Sequence, residues 1–142
     1  MKKLFFLLMA CLVMGVGDLW ADTVQELKLD NGATQTGTYF TVAKASGSPS
    51  YNNAYTGKYE GTTYSKGLKM ESGTTITFTT TASSSTVIIV QATKKSGNDN
   101  TGGINFDGTN YAHTTASTIE NDANNENVRV YTFSDVSAGS HT

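Results

Sequence analysis

Between positions 67 and 81 apolar residues fall on alternate positions. Leu68 and Met70 alternate with Lys69 and Glu71, and Ile76 and Phe78 with Thr75, Thr77 and Thr79. A period of two is the pattern of strands with one dry face and one wet face. Ser72-Gly73 supplies a turn between them. Thr86-Val87-Ile88-Ile89-Val90-Gln91 is apolar on both parities, which predicts a strand in the middle of a sheet covered on both sides, or one where two sheets meet. The run 128–133 puts Val128 and Val130 on one side and Arg129, Tyr131 and Phe133 on the other, and the aromatic side carries more area. Thr38-Tyr39-Phe40-Thr41-Val42-Ala43 is a strand by residue type. Ile104-Asn105-Phe106 is a short strand that runs into the turn dipeptide Asp107-Gly108, and Asn110-Tyr111-Ala112 can pair back. Glu60-Gly61 predicts a hairpin between Lys58-Tyr59 and Thr62-Thr63-Tyr64.

Polar segments separate these runs at 46–50, 94–103 and 120–127. The stretch 22–35 is weaker: Val24, Leu27 and Leu29 begin a strand or a short helical turn, which Asp30-Asn31-Gly32 breaks. No helix of three turns is convincing after the first 21 residues. Short strands with turn chemistry between them predict an all-β fold, a β-sandwich of the jelly-roll or Greek-key kind. The 14 Gly against 1 Pro, with abundant Thr, Ser and Asn, agree with that class.

The ends change the picture. Lys2 and Lys3 precede an uncharged apolar run from Leu4 to Val16, then a polar break to Ala21. This is the pattern of a signal peptide, cut between Ala21 and Asp22. The run falls short of the ~20 residues a bilayer crossing needs, so a secreted protein, with no membrane association after cleavage, is expected. The expected organisation is a signal peptide at 1–21, a lead-in segment at 22–36 and a β-sandwich module at 37–142. The chain stops at Val136-Ser137-Ala138-Gly139-Ser140-His141-Thr142, in what reads as the opening of a strand. We therefore expect an N-terminal fragment of a longer exported protein, missing its last strand or strands.

The single cysteine, Cys11, lies in the leader, so disulfides, thiolate metal sites and cysteine nucleophiles are not expected afterwards. A formal net charge of −2 with scattered charges offers no basic stripe for phosphates, and nucleic acid is not an expected partner. His113 and His141 have no catalytic motif around them, and the carboxylates sit in turns. No cofactor is expected. Calcium is the one ion the loops Asn98-Asp99-Asn100 and Glu120-Asn121-Asp122 could take, but their spacing matches no sharp calcium pattern.

The remaining constellation is aromatic. Tyr51, Tyr55, Tyr59 and Tyr64 are interleaved with Asn52, Asn53, Lys58 and Lys66. A flat aromatic ring matches the apolar face of a sugar, and nearby Asn, Thr and Lys satisfy hydroxyls or a carboxylate. The same tyrosines equally suit a lid over the core, with the hydroxyl facing water.

Three stretches carry a family likeness: Gly37-Thr38-Tyr39-Phe40-Thr41-Val42, the run from Gly61 to Ser72 with Lys69-Met70-Glu71-Ser72, and Thr75-Ile76-Thr77-Phe78-Thr79-Thr80-Thr81. With Ile104-Asn105-Phe106-Asp107-Gly108 and the Ala138-to-Thr142 turn, the region 37–142 resembles the non-catalytic β-sandwich module attached to secreted pectate lyases and related pectin-degrading enzymes. The resemblance implies a carbohydrate-associated module beside a right-handed β-helix lyase, whose catalytic residues have no counterpart here. It also implies a further strand and a closing Gly-rich segment, absent from this chain. The expected function is a secreted carbohydrate-binding accessory module that targets such an enzyme to pectin or polygalacturonate. Its partners would be the polysaccharide and a downstream catalytic domain of the same polypeptide. In that role Tyr55, Tyr59 and Tyr64 would stack on sugar rings, and Lys58, Lys66 and Lys69 would meet galacturonate carboxylates. The alternative is a ligand-free structural or surface-attachment domain.

Overall fold

The computed structural model of the chain describes residues 25–35, 39–71 and 73–142. The leader expected at 1–21 lies outside the described residues, as do Gly37, Thr38 and the turn residue Ser72. The first half of the chain forms β1 (Leu27–Leu29), β2 (Ala33–Gln35), β3 (Phe40–Lys44), β4 (Ser50–Asn52), β5 (Gly57–Tyr59), β6 (Thr62–Tyr64), β7 (Gly67–Lys69) and β8 (Thr74–Thr80). The second half forms β9 (Ser85–Ala92), β10 (Lys94–Lys95), β11 (Asn98–Asp99), β12 (Ile104–Phe106), β13 (Thr109–Tyr111), β14 (Ser117–Thr118), β15 (Val128–Val136) and β16 (Gly139–His141). The one helical element among the described residues is a single 3-10 turn at His113–Thr115. The fold is the expected all-β sandwich.

Two three-stranded antiparallel sheets organise it, in the orders β16-β8-β3 and β14-β15-β9. The chain moves from one to the other between β8 and β9 and returns between β15 and β16, so neighbours in each sheet are distant in sequence. In the first sheet Phe40 and His141 both lie opposite Phe78, so three rings share one face. In the second, Tyr131 and Phe133 lie opposite Ile89 and Val87. Phe106, from the hairpin β12–β13, sits between the layers. Its ring centroid is 6.4 Å from Phe78 and 4.4 Å from Phe133, and Tyr111 meets Phe133 edge-on at 5.0 Å. Each such pair contributes about 0.5–1.5 kcal/mol beyond its buried area.

The structure removes the first of the two expectations for β9. It is not a covered central strand: it pairs only with β15, and Ile88 and Val90 are 54% and 39% exposed. The strand buried on both faces is β15, where Val128, Arg129, Val130 and Tyr131 are all buried. Burial on both faces needs neighbours over both faces. The inner side of β15 meets the aromatic stack, and Val128 on its outer side lies under the β5–β6 hairpin at Gly57. A bulge between Phe133 and Val136 then returns Val136 to a buried position. The segment expected to be a polar loop at 94–103 contains the β10–β11 hairpin, closed by a Lys94–Asp99 ion pair at 3.0 Å.

Asp107 does more than make its turn. Its Oδ2 is 2.7 Å from His141 Nδ1, and its Oδ1 accepts from the Thr142 amide at 2.8 Å. His141 is buried against Phe78 and Phe106, and its Nε2 lies 2.9 Å from Thr80 Oγ1 and 3.0 Å from the Ser137 carbonyl. Asp107, His141 and a hydroxyl in a row superficially match a nucleophilic triad. The Thr80 hydroxyl, however, donates to the Ser137 carbonyl at 2.8 Å, and the imidazole is walled in by phenyl rings. The arrangement is a clasp that fastens β16 to the β12–β13 turn.

Two outcomes follow from this packing. Phe106→Ala should cost about 3–5 kcal/mol, a large part of the roughly 5–15 kcal/mol that holds a domain folded, measurable by urea denaturation. Burial raises the Asp107 carboxyl, but the hydrogen bonds from His141 and the Thr142 amide outweigh it and hold it below its ordinary value. A lowered carboxylate stabilises the folded state fully above its unfolded value, near pH ~4, and loses that contribution as pH falls through the folded value. Asp107→Asn should therefore flatten the acid side of a melting-temperature profile, and an unchanged acid side would remove the clasp.

Candidate functional site

The sugar-binding candidates all fall in one stretch, between β4 and β7. β4 and β7 pair with each other, and the β5–β6 hairpin projects between them. Its turn is the expected Glu60-Gly61, with φ of 47° and 78°, the left-handed pair that a two-residue hairpin turn requires. The hairpin is bolted to the loop at 120–127. Lys58 and Glu126 exchange backbone hydrogen bonds at 2.8 and 2.9 Å, and the Gly61 amide donates to the Asn124 carbonyl at 2.8 Å. Asp122 shapes that loop by accepting from the Asn124 and Asn125 amides at 2.6 and 2.7 Å.

Register sorts the six candidate residues into separate groups. Gly57 lies opposite Tyr64 and Tyr59 opposite Thr62, so Tyr59 and Tyr64 share one face while Lys58 and Thr63 share the other. Tyr59 and Tyr64 are half-buried, and burial pushes both hydroxyls up, with Glu60 adding to the effect at Tyr59. Charges of β1 and its flanks, Glu26, Lys28 and Asp30, act on Tyr64. Lys58 reaches over to donate to the Ala123 carbonyl at 3.0 Å. Around it a shallow groove is lined by Thr56, Lys58, Thr63, Tyr64 and Glu126.

Lys66 is exposed and forms no ion pair among the described residues. Its amide and that of Ser65 donate to Asp30 Oδ1 at 2.7 and 2.9 Å, which docks the β1–β2 hairpin on this stretch. The Lys66 amide is the largest influence holding the Asp30 carboxyl below its usual range. Tyr55 and Lys69 form the third group. The Gly67 amide at the start of β7 donates to the Tyr55 carbonyl at 2.8 Å, and Lys69 ends the same strand. Lys69 is not free: it is paired with Glu71, which Lys44 grips from the other side. The pairing holds the Lys69 ammonium above its usual value, and the hydrogen bonds from Lys44 and then Lys69 pull Glu71 down to about 2.

Sequence reasoning missed two residues here. Lys44 comes from the far end of β3, and no local spacing links it to Glu71. Lys95 is exposed at the tip of the β10–β11 hairpin, which the Ser96 amide ties to the Ala54 carbonyl at 3.0 Å, next to Tyr55. Of the loop oxygens considered for calcium, Asp99 Oδ1 accepts from Lys94, Asn100 Oδ1 from the Gly102 amide, Asn121 Oδ1 from the Asn127 amide and Asp122 Oδ1 from its own loop. No three His, Cys, Asp or Glu side chains converge among the described residues.

The structure is a β-sandwich that carries tyrosines and lysines on short hairpins around a shallow groove. The family comparison names it further: carbohydrate binding module 77 matches residues 26–142, and the chain belongs to that family. The match takes in the β1–β2 hairpin as well as the two main sheets. Comparison with curated proteins and comparison with solved structures each found no match.

The close approach at Gly57 gives a direct check on how the hairpin is seated. A methyl group there would come within 2.8 Å of Val128 Cγ1 and 3.1 Å of the Glu126 carbonyl oxygen. Gly57→Ala should cost about 1–3 kcal/mol by overpacking and loosen the hairpin, with hydrogen exchange rising at the Lys58 and Gly61 amides ahead of the core.

Proposed function

We propose that this carbohydrate-binding module takes an acidic pectic polysaccharide, with unesterified polygalacturonate as the preferred form. It would hold an attached pectate lyase-type catalytic domain of the same exported polypeptide at that polymer. The observation that carries the reading is Lys66, an exposed cation with no carboxylate partner among the described residues. Lys58, tethered by a carbonyl rather than an acid, and Lys95 extend the cationic side of the same region. A uronate polymer supplies a carboxylate on every sugar, so several weak contacts made together give useful retention where one would not. Tyr55, Tyr59 and Tyr64 offer ring faces and edges to the sugars, and Lys69 adds to the positive side when it leaves Glu71. The module does no bond chemistry in this reading: it raises the local concentration of the attached domain at the polymer surface.

The burial of Tyr59 and Tyr64 favours a structural role for those two rings, which is the prediction of the ligand-free reading. The readings separate in affinity gels containing polygalacturonate, highly methyl-esterified pectin or cellulose. Retardation is expected with polygalacturonate, weakening as salt rises and as esterification removes charge. Lys66→Ala should weaken it up to about fivefold, the equivalent of one exposed ion pair, without lowering the melting temperature. Equal mobility in all three gels would favour the ligand-free domain.

A further inference from the structure

Glu71 is the one carboxylate in the candidate region that holds two lysines at once. Its Oε1 accepts from Lys69 Nζ and its Oε2 from Lys44 Nζ. None of the three side chains is sealed off: Lys44, Glu71 and Lys69 are 23%, 30% and 36% exposed. Glu71 follows the end of β7, and its backbone is fixed on both sides, by its amide on the Lys69 carbonyl and its carbonyl on the Thr74 amide. The side chain alone can therefore swing away, with no movement of the strand. A carboxylate clasped by two ammonium groups is the arrangement a bound uronate would make.

We propose that Glu71 is a built-in competitor for the acidic ligand, occupying on Lys44 and Lys69 the place that a uronate carboxylate takes when the polymer binds. This rests on the reading that the module binds an acidic polysaccharide, and it brings Lys44 into the binding surface. With Glu71 in place the triad carries a net single positive charge shared over two lysines. When Glu71 swings out, both ammonium groups face the ligand, but the displaced carboxylate stays near and opposes it. The device lowers affinity for isolated carboxylates, because each must first displace a tethered rival at high effective concentration. A polymer with many carboxylates overcomes that opposition through its other contacts at Lys58 and Lys66. Glu71 would thus favour long unesterified stretches over single uronates. The low value of the Glu71 carboxyl keeps the competitor charged throughout the ordinary pH range.

The same triad also ties the end of β3 to β7, and a purely structural staple would show identical contacts. The difference lies in binding. Titration calorimetry with an oligogalacturonate of defined length, on wild type and Glu71→Gln, reads it directly. Removing the competing charge should tighten binding about fivefold, the scale of one unit charge at contact distance near water. It should also steepen the loss of affinity with added NaCl and leave a neutral cello-oligosaccharide unaffected. A folded Glu71→Gln protein that binds no tighter than wild type overturns the proposal and leaves the polygalacturonate reading standing. If wild type fails to bind and Glu71→Gln binds, the competitor is upheld and the native affinity for polygalacturonate is revised. If neither binds, both fall. Should Glu71→Gln not fold, Glu71→Met removes the same charge, keeps an unbranched side chain against the two lysine stems and leaves Lys44 and Lys69 in place. Binding tighter than wild type supports the competitor, and binding no tighter overturns it.

Discussion

Everything in this module hangs on the ring of Phe106. Among the described residues the two three-stranded sheets share no hydrogen-bonded edge, so apart from the chain crossings it is side chains that join them. Phe106 touches the first sheet through Phe78 and the second through Phe133, while its hairpin also carries Asp107 to His141. The only cysteine in the chain is Cys11, so among the described residues no disulfide shares this task. A domain of this size has a modest buried fraction, and a single aromatic wedge then carries a large share of the cohesion. The clasp at His141 is the complement of the wedge. β16 is a three-residue edge strand, and too few ladder bonds hold such a strand alone. A buried ring plus a charged acceptor fixes it.

The candidate site depends on that core at one remove. β15 is buried on its inner face by the aromatic stack, and the β5–β6 hairpin lies over its outer face at Val128. The hairpin therefore has a rigid floor, and its backbone is tied to the loop at 120–127. The pieces that present Lys58, Tyr59, Tyr64 and Lys66 are short two-stranded ladders, each marginal in isolation. They are positioned by backbone bonds to loops rather than by a large sheet. This suits a surface that meets a long flexible polymer: the ligand needs several fixed points along a line, not a closed pocket.

Local chemistry was legible in the sequence and long-range placement was not. Glu60-Gly61 and Asp107-Gly108 were readable as hairpin turns because the left-handed backbone they require is a property of those two residues. The pairing faces of β8 were readable because a period of two is local. The ranks of β9 and β15 were not, since both are apolar on two parities and only the partners decide which one is covered. The tyrosine cluster was found as a stretch, but register split it, putting Lys58 on the face opposite Tyr59 and Tyr64. Lys69 and Glu71 lie two residues apart, so their shared side was in principle visible. Lys44 joins them from 27 positions away, and His141 meets Asp107 across 34. Nothing in local spacing records such contacts.

A net charge of −2 looks unfavourable for the acidic polymer proposed as the ligand, and the placement of the charges bears on that conflict. Screening limits the reach of exposed charges to about 8–10 Å at ordinary salt, so a ligand responds to the groups beside it rather than to the sum. The acids are largely spent on the fold: Asp30 holds two amides of the 65–66 turn, Asp107 holds the Thr142 amide and His141, and Asp122 shapes its own loop. Asp30 and Asp122 lie lower than their ordinary values chiefly because backbone amides donate to them, and Asp107 because His141 and the Thr142 amide outweigh its burial. Lys66, at the bend before β7, and Lys95, at the end of β10, are exposed and form no ion pair among the described residues, although Asp30 lies close enough to Lys66 to feel its charge. Hydrogen bonds thus fix where the negative charge of these three acids sits. Glu71 differs in being held between two lysines, and its proposed rivalry with the ligand rests on that position.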